Sequence, residues 1–455
     1  MIASTAKPHV ILAAVPIYGH VEKLRIIGCD LQKRGYAVTF LTGTVWREFV
    51  EHAGLPFFAL KANADFDGRD FAKAFPMWDK LPPGPPRFGY LRHSLIDQMP
   101  AQHESVQAVL EDVAARGLKA VVIQDTAFFG VNPIQMGAPG ITPAGTITVG
   151  ITPLPLFSID TAPFGSGLPP DSSPEGRARN IAANEKIKAV AQISQAHFTQ
   201  TMKSLGVKTV PDDLLNSAVT TPDRFLQLCI ESFEYPRSDA PSNLRYIGAL
   251  APGDENKSQH PLPDWWDLVI KHDKPLVVVS QGTLSNHNYK DLIIPTLEAL
   301  KDLDIRVVTT LVRTDSLDGD LQDFQIPSNV LVAKFIPFEE LFKHADLVVN
   351  NGGYGTVQTA FGHGVPMVLA GQTEDKTETN ARAAWSGAAI NLACQTATAE
   401  QVRDAVEKVL NDPKYKNRAM ELKKEYEACD ALQSIADNID ELAAAAAAEE
   451  EDENE

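Results

Sequence analysis

The chain has 455 residues, too long for one typical core and suited to two domains of roughly 200 residues each. Its formal charge of −18, part of it in the acidic run 449–455, argues against a nucleic-acid partner, which would require basic faces. No apolar run approaches the ~20 residues of a membrane span, and Cys29, Cys229, Cys394 and Cys429 lie far apart, so a soluble, cytoplasmic protein with reduced thiols is expected.

Residues 9–15 form an uninterrupted apolar run, the pattern of a strand buried on both faces of a parallel sheet. The loop 16–20 leads into a helix with Leu24, Ile27 and Leu31 on one face, stopped by Gly35. A strand at 37–42, a helix to His52 and a strand at 55–60 follow, so the chain opens as β-α-β-α-β, the start of a doubly wound sheet. Residues 65–100 break that rhythm. There Pro82-Pro83-Gly84-Pro85-Pro86 stands among Phe71, Phe75, Trp78, Phe88 and Tyr90, which reads either as a pocket wall or as an excursion of the chain.

A helix near 103–116 precedes a strand at 119–125, and a second proline-rich apolar segment spans 150–170. Helical patterns fill 174–205, and strands near 225–230 and 244–247 close the first half. The polar, aperiodic stretch 251–260 reads as a linker. The alternation then restarts, with strands at 276–280, 305–311 and 330–335 and helices at 288–303 and 338–344. Further helices are expected at 377–385 and beyond Thr398, ending in alanines and then acids that read as a frayed helix running into disorder.

The stretch 346–370 carries the most chemistry. It reads as a buried strand, a turn with Gly352, Gly353 and Gly355, a short helix stopped by Gly364, and a second buried strand. The unpaired amides of the first helical turn, at the positive end of the helix dipole, make an anion site to which Thr356 adds a hydroxyl. Phosphate or diphosphate fits. An ordinary glycine-containing turn is the other reading, since the spacing is not Gly-x-Gly-x-x-Gly and no Walker lysine follows.

Two polar residues stand at the C-terminal ends of first-half strands: His20, opening a helix, and Asp125, closing a strand. In a doubly wound sheet the ligand crevice lies outside those ends. A histidine there accepts a proton near neutral pH, and an acid beside it fixes the tautomer; a solvated surface histidine is the alternative.

These features together resemble the family 1 UDP-glycosyltransferases, whose donor motif runs His-x-Gly-x-x-Ser/Thr, a helix, Gly-Val-Pro and, after a strand, Asp-Gln. Gly353, Thr356, Gly364-Val365-Pro366 and Asp375 fall in register. The resemblance implies a GT-B fold, with two doubly wound Rossmann-like domains facing across a cleft. It implies an acceptor-binding domain at 1–250, a linker at 251–263 and a nucleotide-sugar domain at 264–428. A helix at 429–443 would return to the first domain, before an acidic disordered tail at 444–455.

Gly19-His20 matches the family's opening of the first helix, which makes His20 the general base and Asp125 its orienting acid. Thr283 matches a diphosphate contact, Phe335 a residue stacking on the base, and Ile336 a backbone contact to it. Gly353, Gly355 and Thr356 would hold the diphosphate and Asp375 the sugar. Four positions depart from the pattern. Val21-Glu22-Lys23-Leu24 follows His20 where a proline is usual; Asn351 replaces the pyrophosphate-binding histidine; Thr359 replaces the ribose-binding glutamate; and Lys376 replaces the glutamine.

The implied reaction is inverting transfer of a sugar, expected to be glucose, from a UDP-sugar to a hydroxyl of a small hydrophobic acceptor such as a phenol, polyketide, sterol or lipid. Asp65/Asp67, Asp302/Asp304 and Asp318/Asp320 read as charged loops and no His/Cys cluster has zinc spacing, so neither metal nor cofactor is expected beyond the sugar nucleotide. A UDP-sugar epimerase and a non-catalytic nucleotide-sugar-binding protein are the alternatives.

Overall fold

The computed structural model describes residues 7–78, 80–81, 85–250, 261–271, 273–282, 288–311, 321 and 324–454. Thr283 and most of the expected linker, 251–260, lie outside the described residues.

The first sheet contains β1 (His9–Ala13), β2 (Ala37–Thr42), β3 (Phe57–Ala59), β4 (Ala120–Asp125), β5 (Gly145–Gly150), β6 (Arg224–Gln227) and β7 (Leu244–Tyr246). They pair in the order β3-β2-β1-β4-β5-β6-β7, every pairing parallel. The second sheet contains β8 (Leu276–Ser280), β9 (Arg306–Thr310), β10 (Val330–Ala333), β11 (Leu347–Asn350), β12 (Met367–Leu369) and β13 (Ala389–Asn391). Its order is β10-β9-β8-β11-β12-β13, again parallel throughout. Strands covered on both faces read as unbroken apolar runs, as β1, β4, β8 and β11 do.

Strand order reverses between β1 and β4 in one sheet and between β8 and β11 in the other. Loops leaving neighbouring strands there diverge to opposite faces and open a crevice. His20 follows β1 and Asp125 ends β4, while Gly282 follows β8 and Asn351 follows β11. Both sheets thus present their switch points with polar residues in place.

Five helices frame the two crevices and the cores beneath them: α1 (Tyr18–Lys33), α2 (Pro174–Ser204), α3 (Tyr354–Gly362), α4 (Lys376–Trp385) and α5 (Ala431–Asn454). The last of these returns to the first sheet. Ile435 and Ile439 are fully buried in one core with Val121 and Ile147, each such side chain contributing about 1.5–3 kcal/mol. The Tyr36 hydroxyl donates to Asp440 at 2.8 Å.

Several elements differ from the sequence reading. β5 occupies a stretch left without a strand, although Thr146 and Thr148 alternate there with Ile147 and Val149 between Gly145 and Gly150. The acidic segment 444–455, expected to be disordered, is helical through Asn454; the preceding alanines have the highest helix propensity, and Glu450 pairs with Lys119. Within 65–100 the chain forms short helices at Phe71–Ala74 and Pro85–Leu95. Among the described residues, no helix is long and apolar enough to cross a membrane.

Candidate active site

The first half of the site is a dyad. His20 Nδ1 lies 2.8 Å from Asp125 Oδ1, with the carboxylate fully buried and the imidazole side chain 17% exposed. Asp125 also accepts the Val15 amide at 2.8 Å and the Ala127 amide at 2.7 Å, so the loops after β1 and β4 are tied to the same group. With Nδ1 held by the acid, Nε2 is the ring nitrogen left for other partners. Beside it, Gly68 lies against the backbone of Pro16, which brings the 65–78 segment over the His20 loop. Phe66, Phe71, Phe75 and Trp78 form one aromatic cluster there, and Tyr18, Trp46 and Phe49 another.

The second half is built from asparagines and glycines. Asn350 donates to Ser280 O at 2.8 Å and accepts the Gly352 amide at 2.8 Å, closing the turn after β11. Gly352 has φ +93°, and a β-carbon there would fall 1.7 Å from Asn380 Oδ1, so only glycine fits. Asn380, on α4, donates to Gly371 O at 3.1 Å and Asn351 O at 3.4 Å, joining the loops after β11 and β12. Among the described residues, the amides of Gly353, Tyr354, Gly355 and Thr356 and the Thr356 hydroxyl have no acceptor in the protein. This is an open anion site at a helix start.

The remaining expected donor residues are placed as follows. Thr359 donates its hydroxyl to Gly355 O at 3.0 Å, within its own helix. Phe335 is 38% exposed beyond the end of β10, whereas Ile336 is buried. Lys376 is buried, its ammonium tied to Glu374 and to Thr373 Oγ1 at 3.2 Å. Burial pushes the Asp375 carboxyl above its ordinary range, opposed by Lys376 and, across the cleft, by His20. The His20 charge thus reaches Asp375 although the two belong to different sheets.

Sequence reasoning missed Asn380 and the group that fixes the cleft. Glu378 of α4 accepts the amides of Gly165 and Gly167 from the first half at 2.8 and 2.9 Å. Its other oxygen takes Arg382 Nη1 at 2.6 Å, and Arg382 Nε lies 2.9 Å from Glu234 Oε2. Burial works against the Glu234 charge, yet Arg382 and Arg237 hold the carboxyl below its ordinary value. The signal available in the sequence was a run of polar residues, Glu378-Thr379-Asn380, followed within the same helix by Ala381, Ala383 and Ala384.

Two parallel Rossmann-like sheets with these switch points define the GT-B glycosyltransferase class. The same fold appears in the glycotransferase of kitacinnamycin, with a TM-score of 0.71 at 20% identity, covering 96% of this chain and 99% of that one. Residues 295–442 match the family described as Erythromycin biosynthesis protein CIII-like, C-terminal domain. The chain is 39% identical over 454 residues to UDP-glucosyltransferase avaP of Aspergillus versicolor, covering 96% of this chain and 97% of the relative. It is 35% identical over 444 residues to UDP-glucosyltransferase B1 of Starmerella bombicola, covering 96% and 99%. The chain belongs to the family 1 UDP-glycosyltransferases, enzymes that transfer sugar from a UDP-sugar.

Proposed function

We propose that the protein transfers glucose with inversion from UDP-glucose to a hydroxyl of a small hydrophobic acceptor, with His20 as general base. The observation that carries this reading is the 2.8 Å contact between His20 and the buried Asp125 at the switch point of the first sheet. As the acceptor oxygen forms its bond to the anomeric carbon, its proton passes to Nε2. Asp125 holds the tautomer that can receive it and offsets the imidazolium charge. The carbon–oxygen bond to the diphosphate breaks, and its electron pair leaves with UDP.

The four amides at 353–356 and the Thr356 hydroxyl meet the charge on the leaving group. On this reading turnover is unchanged by EDTA. Asp375, which the His20 charge reaches, accepts hydrogen bonds from the sugar hydroxyls. The acceptor is hydrophobic because the aromatic clusters flank the His20 loop. Wild type with UDP-glucose and a panel of phenols and apolar alcohols should yield a hexose adduct by mass spectrometry that His20→Ala does not, with a β-linkage by proton NMR. Equal turnover by His20→Ala would remove histidine from the mechanism, and an α-linkage would exclude inversion.

A further inference from the structure

Lys23 stands three residues after His20 on α1, so both side chains leave the same face of the helix. Its Nζ lies 3.6 Å from where a β-carbon of Gly355 would sit, against the first turn of α3. Among the described residues this ammonium has no hydrogen bond and no ion pair. The two carboxylates whose fields reach it are bonded elsewhere: Glu22 to Arg25 at 2.9 Å, and Glu339 to His363 at 2.7 Å. Burial pulls the ammonium below its ordinary range. A half-buried cation without a close counter-ion is unfavourable unless a ligand supplies the charge.

The facing site lacks what Lys23 has. Asn351, at the place of the family's pyrophosphate-binding histidine, is 6% exposed, gives an amide hydrogen to Gln281 O and carries no charge. Among the described residues its Oδ1 has no partner, and as an acceptor it offers nothing to a phosphate oxygen. Lys376, the cation on the same side, is held by Glu374. Among the described residues, the amides of 353–356 thus await an anion with neither Asn351 nor Lys376 free to give them positive charge.

We propose that Lys23 supplies, from across the cleft, the positive charge for the donor's diphosphate that a histidine at position 351 would otherwise provide. This rests on the reading of 353–356 as the diphosphate site. The two departures from the family pattern, a lysine in the stretch where a proline is usual and an asparagine for a histidine, then form one exchange of charge between domains. Because Lys23 and His20 share one turn of α1, the anion that Lys23 holds also sets the distance from the base to the anomeric carbon.

The test is titration calorimetry with UDP and with uridine on wild type, Lys23→Met, Lys23→Arg and the pair Lys23→Met/Asn351→His. Lys23→Met should weaken UDP by on the order of ten- to hundredfold, leave uridine unchanged and flatten the salt dependence of UDP binding. Lys23→Arg should keep most of the affinity, and histidine at 351 should restore part of what Lys23→Met loses. The melting temperature of Lys23→Met without ligand should not fall, since a half-buried charge without a close counter-ion is removed. Equal weakening of UDP and uridine, or no weakening of UDP, would overturn the proposal while wild-type UDP binding kept the donor site. A wild type that binds uridine and UDP equally would overturn the diphosphate assignment and the role of Lys23 together.

Discussion

His20 and Asp125 meet at 2.8 Å, and the same carboxylate takes the amides of Val15 and Ala127 from the loops leaving β1 and β4. One buried acid therefore sets both the ring and the two loops that carry it. Asp125→Asn should lower kcat by about 10²–10⁴-fold, with KM for the sugar nucleotide nearly constant. Asp125→Ala should in addition lower stability by about 1–3 kcal/mol for each amide left without an acceptor. Steady-state kinetics and thermal denaturation separate the two effects.

Gly352→Ala should lower both the melting temperature and UDP affinity. The β-carbon meets Asn380 Oδ1, and φ of +93° disfavours any side chain. Adding Asn380→Ala removes the collision and leaves the backbone strain, while freeing Gly371 O and Asn351 O. The double variant should recover little, whereas a purely steric defect would be fully repaired.

Asp375→Asn should stabilise the ligand-free protein near neutral pH while reducing transfer. A partly buried carboxyl held above its ordinary range is ionised at the expense of the fold. Its stabilising influence is complete below the unfolded value of about 3.9 and is lost as pH rises through the folded one. The gain from asparagine should accordingly be present at pH 7 and vanish below about pH 3.9, read as the difference in melting temperature between the two proteins.

Arg382→Leu should destabilise by about 3–5 kcal/mol, because Glu234 and Glu378 then face one another without the guanidinium. In wild type the Glu234 carboxyl is held low, so its contribution is present above about pH 4.3 and lost as pH falls through the folded value. Denaturation of the variant should show a smaller deficit at pH 5 than at pH 8, since protonation relieves the repulsion between Glu234, which keeps only Arg237, and Glu378. A deficit independent of pH would mean that packing alone is lost.

The sheets were largely legible because parallel strands write themselves as apolar runs: Val10-Ile11-Leu12 and Val277-Val278-Val279 admit no other reading. β5 carries a strand signal of its own, Thr146 and Thr148 alternating with Ile147 and Val149 between two glycines, whereas the three residues of β13 carry no period. His20 and Asp125 were visible as polar residues at strand ends. Asn380, Glu378, Arg382 and Lys23 were not, since each acts on a loop or helix far away in sequence. Thr359, whose register suggested a ligand contact, donates its hydroxyl to the preceding helical turn and keeps its acceptor lone pairs.

The return of α5 to the first sheet makes folding order matter during synthesis. Ile435, Ile439 and Leu442 complete a core whose other members, from Val10 to Leu250, have already left the ribosome. Until residues 431–442 are made, the amino-terminal sheet carries an open apolar seam while the second sheet, complete by Asn391, is free to form. Every strand of the second sheet is therefore synthesised before the last piece of the first core. A fusion or cut before Ala431 reopens that seam instead of trimming an appendage.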